Sequence, residues 1–186
     1  MRQRILDHAE AQLLKYGYKA LRVDDLARAA GISKRTLYEQ FLTKHDIAHD
    51  ALAGRLDRLA RAIDRASRRR PRDEPAQLLE IATLIWQADG EARPKFFVEL
   101  EPTPLAELVD TFRTRSAAAV DRVIRSGIKH GQFRKDLDPG LARRVLLAGL
   151  ATLAPPERPP PGGSPERPDQ AIAAILDVIL HGLSAV

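Results

Sequence analysis

The side chains best equipped for hydrogen-bonding chemistry stand almost side by side: Ser33, Lys34, Arg35, Thr36, Tyr38, Glu39 and Gln40, with Lys44 four positions further on. Arginine offers a planar fork of donors that meets two acceptors at once, and lysine offers a point charge suited to phosphate. Such a set is suited to contacting a polar, anionic surface rather than to moving protons or electrons. No Ser/His/Asp order and no glycine-rich phosphate loop is evident in the chain. His45 and His49, beside Asp46 and Asp50, have metal-ligand spacing on one helix face. They lack a third ligand of predictable position and read as an exposed, charged helix turn. An enzyme needs a convergent acid, base or metal set, and the central segments offer none, so neither catalysis nor a cofactor is expected.

The elements that must position the polar residues are helical. Ile5, Leu6, Ala9, Leu13 and Leu14 mark one face of a first helix, which Gly17 closes. Val23, Leu26, Ala27 and Ala30 follow at i, i+3, i+4, i+7, and Gly31 stops that second helix. Ser33 then caps a short third helix carrying Leu37 and Phe41. Two short helices joined by "AAGIS" make a helix-turn-helix: the glycine permits the turn, the alanines allow close approach and Ile32 fills the corner.

At 100° per residue Leu37 and Phe41 fall within about 40° of each other, so Arg35, Thr36, Glu39 and Gln40 point elsewhere while Lys34 and Tyr38 flank the buried stripe. A helix of this kind can lie in a major groove and read base edges with its first turn. Arg35 suits a bidentate contact to guanine, Thr36 a thymine methyl or a phosphate, and Ser33 with Lys34 a phosphate at the helix start. Glu39 either accepts from cytosine or stays in solvent.

The continuous stretch Ile5 to Leu52 resembles the DNA-binding domain of the TetR family of bacterial transcriptional regulators. The matching elements are Gly17-Tyr18, "VDDLA" at Val23 to Ala27, Ala30-Gly31-Ile32-Ser33, Thr36-Leu37-Tyr38, Phe41 and Lys44. The resemblance implies an all-α homodimer: residues 1–46 would bind operator DNA, and residues 47–186 would bind an effector and dimerise. It puts Lys34, Arg35, Thr36 and Glu39 on the base-reading face, and Tyr38, Gln40 and Lys44 at phosphates. The chain departs from the family pattern twice. Arg22 stands where Ser or Thr usually caps the second helix, which weakens the cap and adds a cation near the DNA backbone, and Gln40 stands where His or Tyr is commoner.

The rest of the chain carries longer helices, expected near 44–69, 75–89, 94–100, 104–130, 138–154 and 168–184, about nine in all. The Pro-rich stretch 155–168 reads as a loop or linker, with a ligand for a partner domain as the lesser alternative. Trp86, Phe96, Phe97 and Phe112 gather in the central helices and would either line an effector pocket for a small apolar or amphipathic molecule or pack as core. The last two helices have wide apolar faces, with Leu146, Gly149, Leu153, Ile172, Ile175 and Ile179 expected at a homodimer interface by resemblance. "SRRRPR", Ser67 to Arg72, reads as a cationic, solvated helix end favoured by the macrodipole.

Composition sets outer bounds. The 186 residues contain no cysteine, which excludes disulfide and thiolate chemistry. The first 70 residues hold 16 Lys and Arg against 9 Asp and Glu, the rest 14 against 16, so the net charge of +5 belongs to the N-terminal third. No run approaches the roughly 18 apolar residues of a membrane span, and the charged N-terminus is unlike a signal peptide. A cytoplasmic, operator-binding regulator, released by an effector, is the reading that results. Its rivals are a regulator that senses nothing and uses its C-terminal domain for dimerisation or a protein partner, and, more remotely, a helical enzyme.

Overall fold

The computed structural model describes residues 1–70, 72–90, 96–153 and 168–181. Among them are nine α-helices and no strand: α1 (Arg2–Tyr16), α2 (Val23–Ala30), α3 (Lys34–Gln40), α4 (Lys44–Arg68), α5 (Glu74–Gly90), α6 (Phe96–Leu100), α7 (Ala106–Lys129), α8 (Pro139–Thr152) and α9 (Pro168–His181). The all-α expectation holds, with helix ends moved by a few residues. Apart from Pro168, which opens α9, the Pro-rich segment 155–168 lies outside the described residues. Proline is tolerated there because the first turn of a helix has no use for its missing N–H.

The chain divides into two compact units, residues 1–58 with 91–111 and residues 59–90 with 112–186, so α4 contributes to both. In the first unit Ile5, Leu26, Leu37 and Ile47 are wholly buried. Each such side chain contributes on the order of 1.5–3 kcal/mol by leaving water. The α1 helix is also braced to α4 by charge: Glu10 accepts from Arg55 at 3.3 Å and from Arg58 at 2.6 Å. Arg55 is itself buried.

In the second unit α5 packs against α8 and α9, and α8 against α9. Gly149 makes the last contact close: a Cβ there would lie 3.1 Å from Ile175 Cγ2. Asp138 starts α8, its carboxylate accepting from the Leu141 amide at 2.6 Å, with Pro139 in the first turn.

Candidate nucleic-acid interface

The turn that aims α3 is built from backbone. Gly31 takes a left-handed conformation, φ 64° and ψ 37°. Its N–H donates to the Arg28 carbonyl at 3.1 Å while Ile32 donates to the Ala27 carbonyl at 3.0 Å, the pair of bonds that closes a helix C-terminus. A Cβ at Gly31 would touch only the tip of Arg4, at 3.9 Å. Glycine is therefore required for its φ, not for space. Arg4 in turn donates to the Ala30 carbonyl at 3.0 Å, placing a cation at the negative end of α2.

Two residues after the turn, Ser33 caps α3, its hydroxyl accepting from the Thr36 amide at 3.0 Å. Leu37 and Phe41 anchor the helix, 0% and 4% exposed. The Arg2 guanidinium sits over the Phe41 ring at 4.7 Å from its centre. Leu21, before α2, is a further buried side chain of this unit, and Ile32 is half-buried at the corner.

The opposite face of α3 is left to solvent. Lys34, Arg35, Tyr38, Glu39 and Gln40 are exposed, and Thr36 is half-buried with its hydroxyl 2.9 Å from that of Ser33. The two cations are held by acids of the same chain: Lys34 pairs with Asp24 of α2, and Arg35 Nε lies 3.4 Å from Glu39 Oε1. Exposed pairs of this kind are worth about 0–1 kcal/mol, so exchanging them for phosphates or base edges costs little.

Arg22 and Lys44 stand on either side of α3 in sequence, at the starts of α2 and α4. Arg22 is exposed and extended, and its side chain makes no capping bond; its carbonyl accepts the Leu26 amide at 3.2 Å. Lys44 is half-buried, lies 5.1 Å over the Tyr18 ring and donates to the Lys19 carbonyl at 3.3 Å. That burial lowers its pKa from the ordinary 10.5. The helix that carries it is fixed by a reciprocal cap: Thr43 Oγ1 accepts from the Asp46 amide at 3.1 Å, and Asp46 Oδ2 from the Thr43 amide at 2.9 Å. Thr43-x-x-Asp46 is the local sequence signal for this cap, whereas the roles of Asp24 and of the α1 residues Arg2 and Arg4 rest on contacts between helices.

The first unit therefore presents a short helix with one side buried and one side polar and exposed, held by its cap and by the glycine turn. Residues 5–51 match the family model of the bacterial regulatory proteins of the tetR family. The whole chain is 30% identical over 197 aligned residues to the HTH-type transcriptional repressor KstR2 of Rhodococcus jostii (strain RHA1), covering 99% of this chain and 91% of that protein. The chain belongs to the TetR family. It is a DNA-binding transcriptional regulator of the helix-turn-helix type. Among solved structures, the TetR-family regulator PfmR from Thermus thermophilus is 28% identical with a TM-score of 0.72, over 100% of this chain and 98% of that one. A transcriptional regulator from Saccharomonospora viridis, solved in complex with choline, shares the fold at a TM-score of 0.79 and 24% identity, over 97% and 95% of the two chains.

The other site residues expected of a TetR regulator fall as follows. Trp86 is half-buried and donates from Nε1 to the Leu153 carbonyl at 3.2 Å; Phe112 is buried, 5% exposed. Phe97 is half-buried in the first unit, and the side chain of Phe96 lies outside the described residues. On α8 and α9, Leu146 and Ile172 are 0% exposed and Ile179 is buried, turned into the chain's own core. Leu153 and Ile175 are half-buried, and Gly149 is taken up by Ile175 of the same chain. The large apolar side chains left exposed among the described residues of these helices are Leu141, Val145 and Val178. The periodicity that marked a wide apolar face did not separate the part that closes the monomer from the part that remains outside. No helix among the described residues is long and apolar enough to cross a membrane.

Proposed function

We propose that this TetR regulator is a repressor that holds a near-palindromic operator as a homodimer and is released by a small apolar or amphipathic effector. The observation that carries the reading is the disposition of α3: Leu37 is wholly buried while Lys34, Arg35, Tyr38, Glu39 and Gln40 are exposed on a helix with a fixed cap. Lys34, Arg35, Thr36 and Glu39 read base edges; Arg22, Ser33, Tyr38, Gln40 and Lys44 meet the backbone. Two copies of α3 enter successive major grooves about 34 Å apart.

The dimer forms through α8 and α9. Leu141, Val145 and Val178, exposed and apolar, supply the contact, and the half-buried Leu153 and Ile175 stand beside it. The effector binds among the central helices that carry Trp86 and Phe112. It acts by binding one arrangement of the dimer better than the other, and operator affinity falls by that difference. The name of the Rhodococcus relative, a repressor, supports the direction of control.

Capture of fragmented genomic DNA on the full-length protein, followed by sequencing, tests the first half: a palindromic site is expected, and enrichment of no fragment would remove the operator reading. Native mass spectrometry of the protein after incubation with metabolite extract tests the second. A dimer that retains a small molecule and loses its operator is expected. A dimer that retains none would leave a regulator whose C-terminal helices serve dimerisation alone.

A further inference from the structure

Five arginines of the second unit share a concavity. Ser67, Arg68, Arg69 and Arg70 from the end of α4, Arg72 and Gln77 from the start of α5, and Arg122 and Ser126 of α7 line a cleft of about 300 Å³. Among the described residues the lining has no carboxylate and no aromatic or aliphatic side chain. A ligand for it is recognised by charge and hydrogen bonds alone.

Of the acids nearby, Asp73 caps α5, its carboxylate accepting from the Ala76 amide at 3.0 Å. Glu80 accepts from Arg69 at 2.5 Å, and Asp64 lies 3.7 Å from Arg122 and 3.5 Å from Arg115. Glu74 is turned inward, 0% exposed, with Ser126 donating to it at 2.7 Å and His130 Nδ1 at 2.9 Å. Arg68 and Arg70 have no side-chain partner among the described residues and face solvent. Cationic charge is in excess even after these pairs are set aside.

The floor of the cleft is tied by hydrogen bonds. Arg122 donates to Ser67 Oγ at 2.6 Å and Arg72 to Ser126 Oγ at 2.8 Å. Gln77, 2% exposed, donates to the carbonyls of Ala66 and Arg69 at 3.0 Å each. Those carbonyls end α4, where the helix dipole is negative and would repel an anion. With those carbonyls occupied by Gln77, the arginines that line the cleft give it a positive sign.

We propose that this cleft binds the phosphate or pyrophosphate group of a small molecule, held by Arg68, Arg70, Arg72 and Arg122. Guanidinium forks match phosphate oxygens two at a time, and charge-assisted bonds of this kind are roughly twice as strong as neutral ones. The volume lies at the lower end of ligand sites, about 300–1,000 Å³, which suits a compact anion. Three helices meet there, so the bound anion ties the end of α4 to α5 and α7. A long nucleic-acid backbone would use a convex or more open surface instead, and a cleft of this size favours a single group.

The test is calorimetric titration of the full-length protein with sodium pyrophosphate, with ADP and with a short random DNA duplex, at low and moderate salt. Pyrophosphate is expected to bind, more weakly as salt rises, and to raise the melting temperature as any ligand of the folded state does. Arg72→Gln with Arg122→Gln should weaken it about tenfold or more, the effect of losing charged hydrogen bonds. Arg68→Gln with Arg70→Gln, two exposed side chains whose removal leaves the fold intact, should also weaken it about tenfold. Arg61→Gln with Arg65→Gln, the same loss of charge on α4 outside the cleft, should leave it unchanged. ADP binding more tightly than pyrophosphate identifies an organic phosphate, and equal binding a free one; both support the site. Absence of pyrophosphate binding, equal loss in the control pair, or retention in both cleft variants would overturn it. So would a duplex that competes for the cleft and loses affinity through Arg68 and Arg70, since the surface would then belong to nucleic acid.

Discussion

Two cationic regions of this protein have similar side chains and opposite shapes. On α3 the cations stand on a convex helix face, Arg35 with 91% of its side chain exposed, each leaning on an acid of its own chain. At the end of α4 the arginines line a concave cleft whose floor is tied by Gln77, Ser67 and Ser126. A convex face with weakly held pairs suits a long polyanion, because many phosphates can displace the resident acids at once. A concave one gathers donors around one small group. Charge alone does not distinguish them; curvature and the supporting hydrogen bonds do.

The strongest way to break the comparison is to remove the anchor of α3. Leu37→Ala leaves a void under a wholly buried side chain and should cost about 2–5 kcal/mol of stability. Operator binding should be lost in a mobility-shift assay, while pyrophosphate binding survives, because the residues of the cleft belong to the second unit. Loss of both would mean that the two regions do not act separately.

Glu74 sharpens the other side. Burial pushes its carboxyl upward, but hydrogen bonds from Ser126, from its own amide and from His130, together with the charge of His130, outweigh that and hold it below the ordinary carboxylate value. Its folded pKa is thus lower than its unfolded one. The stability it contributes is present above the unfolded pKa, about 4.3, and drains away as pH falls through the folded value. Glu74→Gln, which loses charged hydrogen bonds worth about 1.5–3 kcal/mol, should melt lower at pH 6 and show a flatter decline from pH 5 to pH 3. Parallel melting curves for the two proteins would mean that Glu74 carries none of the acid sensitivity.

Arg35→Ala should cost about 1–3 kcal/mol on the cognate operator and little on random DNA, measured by competition binding. An unchanged specific affinity would remove Arg35 from the reading face. Lys44→Ala should have the smallest effect, weakening specific and random DNA alike and flattening the salt slope by about one unit. Should it weaken only the operator, Lys44 would be reading sequence rather than meeting phosphate.

Most of the reading end was legible because its signals are local. Gly31 announces a left-handed turn, Ser33 a cap three residues before the amide it accepts from, and the spacing of Leu37 and Phe41 a buried stripe. The Asp24–Lys34 pair and the seat of Arg2 over Phe41 were not legible, since each joins residues on different helices. The same holds for α8 and α9. Leu146 and Leu141 are both leucines of α8, yet Leu146 is 0% exposed and Leu141 52%. Which of them closes the monomer depends on where α5 lies, and periodicity contains no such information.

By itself the sequence determined an all-α chain, a helix-turn-helix near its N-terminus, the polar face of α3 and membership of a family, because helix periods, caps and turns are set by residues within four or five positions of one another. Tertiary structure decided what surrounds the arginines of Ser67 to Arg72. The run reads as a solvated helix end until α7 brings Arg122 and Ser126 against it, and only then do the cations surround a space. A concavity is a relation among distant segments, and no single segment can encode it.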